Sequence, residues 1–409
     1  MSFIGLSRLA VLGLFALLSA ELSPAWPTLE PLAFDGLLLS VMATVAFAVA
    51  YFGCWCILRF DGLHQHLTHD HDVDGIQKIH SQSVPRVGGL AIFLGLLVSL
   101  SVLAIVAPWP HLGFFNLSLL LLAALPIFLT GLIEDISKRV SIRQRLLSAF
   151  ISAELAALLL HALVPGLGVL GLEHTLGWGT AMLLLTIVGI GGVTHSLNLI
   201  DGLNGLAAGF AMLMLGALLA VAYALGDGML VLLTVVIMMA TLGFLLWNWP
   251  RGLLFLGDGG AYLLGFLSVT LSILLVACHT EVSPWFPLVV AGYPVMETLF
   301  SIYRRTWLHR VRHDHPDDRH LHQLLYQLIC RVRGTHQTSP ISCNSLTAMP
   351  ILGMVALIMA LAVHWYDNTY ALMAMFLGGV IFYKVLYRVL YFAVFRLQLK
   401  RSQSTLDAH

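Results

Sequence analysis

The sequence predicts an all-α, polytopic integral membrane protein, and three features of the chain lead to that fold class. Of its 409 residues, 59% are hydrophobic and only 10% are charged, which is far too apolar for a soluble domain. Apolar runs of about twenty residues, the length that crosses a bilayer as a helix, recur along the whole chain. The Lys and Arg residues fall in alternate connections between these runs, as the positive-inside rule requires.

The apolar runs predict about 11–12 transmembrane helices. Residues 3–20 form the first run. Leu18-Ser19-Ala20 resembles the cleavage site of a signal peptide, but we favour a retained span because the chain after it is membrane-embedded. Eleven spans follow, at 34–57, 88–107, 117–133, 144–163, 178–195, 206–225, 229–248, 261–279, 285–302, 347–365 and 369–392. The expected regions are an N-terminal apolar segment (1–33), a multi-helix membrane domain (34–395) and a cytoplasmic tail (396–409).

The connections between the spans form two sets. Nearly every Lys and Arg lies in or beside the first set, at 59–87, 134–143, 196–205, 249–260, 303–346 and the tail. The second set, at 108–116, 164–177, 226–228, 280–284 and 366–368, has none. We therefore expect the first set to face the cytoplasm. The five cysteines lack the spacing of a disulfide framework and are read as free thiols.

The first cytoplasmic loop carries three cations before a Pro and two Gly. Lys78, His80 and Arg86 precede a segment in which the glycines let the backbone approach a ligand closely. This arrangement favours binding of an anion such as phosphate. Membrane anchoring by positive charge is the alternative, and it would explain these cations taken alone.

A pair of acids, Glu134 and Asp135, directly follows an apolar span. Adjacent carboxylates repel one another unless a cation or a shared proton relieves them. The pair therefore favours a divalent-ion site or a proton acceptor over ordinary loop charges.

Residues 196–207 join two apolar runs and carry Asn198, Asp201 and Asn204. If the segment is helical, His195, Asn198 and Asp201 lie three residues apart and share one face. An acid at the edge of a membrane span is costly unless it has a function. A helix cap is the structural alternative for Asp201.

Two later cytoplasmic segments carry further polar motifs. Asp258 is flanked by three glycines where the next span opens, so it could be a helix cap or face a ligand. His320 and His322, beside Arg319, are two residues apart. They would diverge on a helix, so an extended or turn conformation is needed for both to face one ligand. Phosphate contact, proton transfer and metal ligation all remain open for them.

Together these motifs place four acids on one side of the membrane, surrounded by Arg, Lys and His. Acids alone would suit a cation pathway. Acids with a cationic shell suit a Mg²⁺–phosphate substrate, because the metal bridges anionic oxygens and the cations bind the rest. A membrane location then indicates that one reactant is a lipid.

The ordered motifs resemble those of the polyprenyl-phosphate N-acetylhexosamine-1-phosphate transferases. That family contains the muramyl-pentapeptide translocase and the enzymes that initiate the enterobacterial common antigen and teichoic acids. The resemblance runs from about residue 40 to residue 330 and rests on five motifs: Lys78…His80…Pro85-Arg86-x-Gly88-Gly89, Glu134-Asp135, Asn198-x-x-Asp201-Gly-x-Asn204-Gly-Leu-Ala, Asn248 followed by Phe255-x-Gly-Asp-x-Gly260, and His320-x-His322.

Several positions depart from the family pattern. Glu134 and Asn204 each replace an Asp, and Glu297 stands where members often have Asp. Gln323 occupies the place of a third His. The HxH loop is therefore more similar to the enzymes that initiate O-antigen or other surface polysaccharides than to the translocase.

The resemblance implies a transfer of sugar 1-phosphate from a UDP-sugar to undecaprenyl phosphate, with release of UMP, in the bacterial inner membrane. It implies Mg²⁺ as cofactor, with Mn²⁺ as the alternative, and an active site on the cytoplasmic face. The implied metal ligands are Asp258 and Asp201. The implied catalytic residues are Glu134, Asp135, Asp201, His320 and His322. The implied substrate-binding residues are Lys78, His80, Arg86, Asn198, Asn204, Asn248 and Arg319.

The expected partners are undecaprenyl phosphate, a UDP-sugar and the lipid bilayer, with a homodimer as a candidate assembly and no nucleic acid. Direct attack by the lipid phosphate is favoured over a covalent aspartyl-phosphate, because the reaction needs mainly positioning and charge neutralisation. Two other functions stay open. An ion-coupled transporter would use the same acids as an ion path, and a catalytically altered membrane scaffold would follow from Glu134 and Asn204.

Overall fold

The computed structural model describes residues 36–68, 84–106, 112–168, 178–309, 319–332 and 340–406. The first predicted span, at 3–20, and the cations Lys78 and His80 lie outside these residues. Regular structure in the described part is helical, as predicted, and consists of fourteen α-helices and one π-helical turn at Arg304–His309. The α-helices are α1 Gly36–Arg59, α2 Asp61–Thr68, α3 Gly88–Val106, α4 Leu112–Ser137, α5 Ile142–Leu160, α6 Trp178–Leu199, α7 Leu206–Ala224, α8 Gly228–Asn248, α9 Gly257–Cys278, α10 Phe286–Val290, α11 Gly292–Tyr303, α12 Leu321–Val332, α13 Pro340–His364 and α14 Thr369–Leu406.

Nine helices in the described residues are long and apolar enough to cross a membrane. Helix α5 falls short of that description because Arg143, Arg145 and Glu154 interrupt its apolar sequence. The predicted span at 285–302 is instead two shorter helices, α10 and α11, which meet at Ala291. Pro294 contributes to this break, because it has no N–H to donate to the carbonyl four residues earlier.

Helix α9 is the centre of the bundle. Nearly all of its side chains are buried, and it packs against α3, α4, α6 and α7. Large apolar side chains on the outer helices, such as Ile105 and Ile381, are exposed instead, as expected where a helix faces lipid. Residues from several neighbouring helices and loops can therefore contact the N-terminus of α9.

The two predicted sets of connections come together at two separate ends of the bundle. In the first set, the backbone N–H of Phe255 donates to Pro85 at 2.9 Å, and that of Asn204 donates to the Asn344 side chain at 2.6 Å. In the second set, the backbone N–H of Ser283 donates to Tyr366 at 2.8 Å, and the indole of Trp285, which borders this set, donates to Leu167 at 3.0 Å. These contacts agree with the alternation that the Lys and Arg distribution predicts.

Candidate active site

The site is built on the first turn of α9, which begins one residue before Asp258. The predicted start at 261 was late, and Asp258 is inside the helix rather than capping it. The cap comes from Asp135 at the end of α4, whose carboxylate accepts the N–H groups of Asp258 at 2.8 Å and Gly259 at 2.9 Å. A carboxylate at this end of a helix is favoured by the unpaired N–H groups and the helix dipole.

Glycines let the supporting backbones approach α9 closely. A Cβ on Gly89 would lie 2.2 Å from the Cα of Gly260, and one on Gly131 would lie 2.6 Å from Gly259. Gly257 has a φ of 75°, which glycine adopts without the steric cost of a side chain. The glycines flanking Asp258 therefore serve helix packing at this end of the bundle.

Asp258 lies among three donors from different elements. Its Oδ1 is 3.5 Å from Arg86 Nη2 and accepts the Asn198 side-chain amide at 3.2 Å. Its Oδ2 is 3.7 Å from Arg145 Nη1. The side chain of Asp258 is 15% exposed and that of Arg86 is 30% exposed, so solutes can reach this cluster. The predicted association of Arg86, Asn198 and Asp258 is therefore present in the structure.

Asp201 lies in a turn that follows α6. The expectation that His195, Asn198 and Asp201 share one helical face is therefore wrong for Asp201. Helix α6 ends at Leu199, and the Asp201 N–H donates to the Asn198 carbonyl at 3.1 Å. The pKa of Asp201 is raised to about 7, mainly by burial, with the positive charge of Arg86 lowering it and the negative charge of Asp258 raising it. Asp201 and Asp258 are thus close enough to repel one another.

The side chains of Asn204 and Asn248 hold neighbouring loops together through hydrogen bonds. The Asn248 side chain accepts the Gly205 N–H at 2.6 Å and donates to the Leu254 carbonyl at 2.9 Å. Asn204 is 2% exposed, and its side-chain amide is 3.5 Å from the Ser345 hydroxyl. These contacts hold the 200–205 turn in place, and a direct role of either residue in substrate binding stays a prediction.

The two histidines of the HxH motif lie at the start of α12, with His320 just before the helix. Their rings are parallel, with centroids 5.5 Å apart, so the turn conformation that the spacing requires is present. His320 Nδ1 is 3.0 Å from Glu297 Oε1. His322 Nε2 lies 3.1 Å from the position of a Cβ on Gly202. His322 therefore packs against the turn that carries Asp201. Burial lowers the pKa of His322 to about 4, so its imidazole is neutral at pH 7.

Glu134 and Arg319 are the remaining predicted site residues in the described part of the chain. Glu134 turns onto its own loop, where its Oε2 accepts the Val140 N–H at 2.7 Å. The adjacent carboxylates Glu134 and Asp135 thus each accept hydrogen bonds from backbone N–H groups, in different parts of the chain. The side chain of Arg319 is exposed, and its backbone carbonyl accepts a hydrogen bond from Arg304.

Two residues at the site were not among the predicted site residues. Arg145 faces Asp258 from the first turns of α5, and its charge was attributed only to the positive-inside rule. Ser141 and Gln144 form a capping box at the start of α5, and Arg145 directly follows Gln144. This sequence pattern indicates that Arg145 lies in the first turns of a helix. Glu297 was noted only as a departure from the family pattern, although it contacts His320.

The donor chemistry around Asp258 fits a divalent cation of the Mg²⁺ type. Mg²⁺ is usually held by one or two carboxylates together with substrate phosphates and water. Asp258 supplies one carboxylate, and Asp201, which is near enough to feel its charge, supplies a second. Within the described residues, no group of three or more His, Cys, Asp or Glu side chains forms a metal cage. The other ligands of a Mg²⁺ ion are commonly water and substrate phosphates.

Comparison with known proteins finds relatives of this chain. The sequence profile of glycosyl transferase family 4 matches residues 117–276, which include Asp135, Asp201 and Asp258. A Bacillus subtilis (strain 168) protein described as a probable undecaprenyl-phosphate N-acetylglucosaminyl 1-phosphate transferase is 31% identical over 253 residues, 61% of this chain and 67% of that protein.

Two further relatives have related descriptions. The decaprenyl-phosphate N-acetylglucosaminephosphotransferase of Mycobacterium tuberculosis (strain H37Rv) is 28% identical over 278 residues, covering 61% of this chain and 67% of that protein. The phospho-N-acetylmuramoyl-pentapeptide-transferase of Bacillus cereus (strain AH187) is 31% identical over 232 residues, covering 53% and 67%. These matches show that the chain belongs to glycosyl transferase family 4.

Proposed function

We propose that this protein transfers a sugar 1-phosphate, with N-acetylglucosamine as the expected sugar, from a UDP-sugar to undecaprenyl phosphate and releases UMP. Its relatives are described as phosphosugar transferases acting on polyprenyl phosphates. This would be the first membrane step of surface-polysaccharide or cell-wall glycan synthesis. The protein is a multi-pass membrane protein, and we assign it to the bacterial inner membrane with its active site on the cytoplasmic face.

The observation that supports this function best is the arrangement around Asp258. One carboxylate at the N-terminus of a buried helix faces Arg86 and Arg145 and accepts a hydrogen bond from Asn198. Two substrate phosphates bring several negative charges, which helix N-termini and arginines bind well. A phosphoryl transfer needs positioning and charge neutralisation of this kind.

In the proposed reaction, an oxygen of the lipid phosphate attacks the β-phosphorus of the UDP-sugar. The bond from that phosphorus to the bridging oxygen breaks, UMP leaves with that oxygen, and a lipid-diphosphate-linked sugar forms. Arg86 and Arg145 bind phosphate oxygens, and Asp135 holds the start of α9 in place. Lys78 and His80, which lie outside the described residues, remain predicted phosphate contacts, as does Arg319.

Asp258 and Asp201 would hold a divalent cation, for which Mg²⁺ is proposed and Mn²⁺ is the alternative. Such an ion neutralises phosphate charge and stabilises the charge that develops in the transition state. Holding it would also relieve the repulsion between these two carboxylates.

A label on the β-phosphorus tests the reaction directly. Purified protein is given undecaprenyl phosphate, Mg²⁺ and UDP-N-acetylglucosamine carrying ³²P at the β position. The proposal predicts that the label moves into the lipid while UMP is released in equal amount. A lipid-linked sugar without label, accompanied by UDP, would indicate ordinary sugar transfer and overturn the proposal. Absence of UMP with this and other UDP-N-acetylhexosamines would favour the scaffold alternative.

The transporter alternative has less support. An ion path needs acids along the interior of the spans. Asp135, Asp201 and Asp258 instead lie at helix ends or in a turn.

A further inference from the structure

Glu297 is a buried acid on α11, and none of the steps of the proposed reaction uses it. It is 1% exposed. One of its oxygens, Oε1, receives both the His320 ring nitrogen Nδ1 and the backbone N–H of Leu321, each at 3.0 Å. Two hydrogen bonds to one oxygen fix both the ring of His320 and the start of the helix that follows it.

These contacts determine which ring nitrogen of His320 carries a proton. An ionised carboxylate can only accept hydrogen bonds, so Nδ1 must carry the hydrogen that it donates to Glu297. The other nitrogen, Nε2, is then the ring atom left to interact with a substrate. The backbone N–H of His320 also donates to the Gln323 side chain at 3.0 Å, so the main chain at this histidine is held as well.

The ring of His320 lies against His322, which in turn contacts the 200–205 turn. The two rings are parallel within 2°, and His322 packs on Gly202, which directly follows Asp201. Glu297, His320, His322 and the 200–205 turn therefore form one continuous series of contacts from α11 to the site.

A purely stabilising role explains this arrangement poorly. Removing a carboxylate from water is costly, and a buried ion pair is often no more stable than apolar side chains of the same size. The second oxygen of Glu297, Oε2, has no hydrogen-bond partner among the described residues. The hydroxyls of Tyr293 and Tyr383 lie near this carboxylate, but neither makes a hydrogen bond of ordinary geometry within the described part.

We propose that Glu297 is a positioning residue that holds His320 in the tautomer protonated at Nδ1, so that Nε2 serves the phosphates of the transfer reaction. The role in turnover rests on the proposed transferase function. The tautomer itself is a property of the protein without substrate, so it can be tested separately.

The first test is a double-mutant cycle on turnover. Glu297→Gln keeps the size of the side chain, but an amide can donate as well as accept and no longer selects one tautomer. We expect kcat to fall by roughly 100-fold with KM changed less than about 3-fold, and almost no further fall when Glu297→Gln is added to His320→Ala. Equal fold-losses in both backgrounds would overturn the proposal. Glu281→Gln, at the other end of the bundle, is the matched control and should leave kcat unchanged.

The second test does not need activity. In protein labelled with ¹⁵N-histidine, the imidazole signals of His320 are assigned by their loss in His320→Asn. We expect a protonated Nδ1 in the wild type and a shift of the proton toward Nε2 in Glu297→Gln. A wild type in which Nδ1 carries no proton would contradict the proposal. If the wild type released no UMP, the proposed function would fail, while this measurement would still decide the role of Glu297.

Discussion

The adjacent acids Glu134 and Asp135 have separate roles although they are neighbours in the sequence. Their backbones are consecutive on α4, so their side chains point in directions about 100° apart. Glu134 reaches back to its own loop at Val140, whereas Asp135 caps α9. The motif therefore contributes a loop contact and a helix cap, and only Asp135 touches the backbone beside Asp258.

Asp201 gives a prediction for the pH dependence of stability. Burial raises its pKa to about 7 in the folded protein, above the value of about 3.9 in an unfolded chain. The folded state thus binds a proton that the unfolded state releases, and this stabilisation is lost as pH rises from about 4 through 7. In the presence of EDTA, Asp201→Asn should raise Tm above the wild type by on the order of 2 °C at about pH 8.

The same comparison at lower pH is the control. Near pH 5, Asp201 is already protonated and resembles the amide, so the difference in Tm should be much smaller. Thermal unfolding of the two purified proteins at both pH values measures this. An equal difference at both values would show that the raised pKa does not contribute to stability.

At the level of elements, the start of α9 depends on glycines of neighbouring helices. Gly89→Ala would place a methyl group 2.2 Å from the Gly260 backbone, and backbone cannot move aside as a flexible side chain can. We expect the free energy of unfolding to fall by about 1–3 kcal/mol or more. This loss should be seen as a fall in Tm of roughly 5 °C, with reduced turnover.

Gly192→Ala is the matched control for this prediction. It lies within α6, and a Cβ there would meet no atom within 4 Å. Alanine is favoured over glycine inside a helix, so Tm should stay the same or rise. Similar Tm values for Gly89→Ala and Gly192→Ala would contradict the packing described here.

Local sequence predicts the helices well and their mutual contacts poorly. Hydropathy located α1, α3 and α7 closely, because the length and composition of a span are local properties. The capping of α9 by Asp135 and the contact of Glu297 with His320 join residues far apart in the chain. No local pattern encodes such contacts. Arg145 was missed for another reason: the positive-inside rule already explained its charge.

The broken span at 285–302 was also mispredicted. Its hydropathy is that of one membrane helix, but Pro294 removes a backbone donor near the middle. Two short helices result, and the second, α11, carries Glu297.

At the scale of the whole molecule, the two sets of connections meet at separate ends of the bundle. We expect the end that carries Asp258 to face the cytoplasm, because it also carries the Lys and Arg residues. In a cysteine-free background, Glu281→Cys should react with a membrane-impermeant maleimide in intact cells. Arg251→Cys, which is exposed at the other end, should react only after the membrane is opened. The opposite labelling pattern would place the site on the outer face.

Asp258 is the residue on which the account depends most, and its substitution by asparagine is the most direct test. Asp258→Asn keeps the side chain's size but removes the charge that faces Arg86, Arg145 and the proposed cation. In the β-³²P assay we expect transfer to fall at least about 1,000-fold, while Asp367→Asn, an exposed acid at the other end, keeps wild-type activity. Transfer by Asp258→Asn at a rate near that of Asp367→Asn would contradict the assignment of the active site.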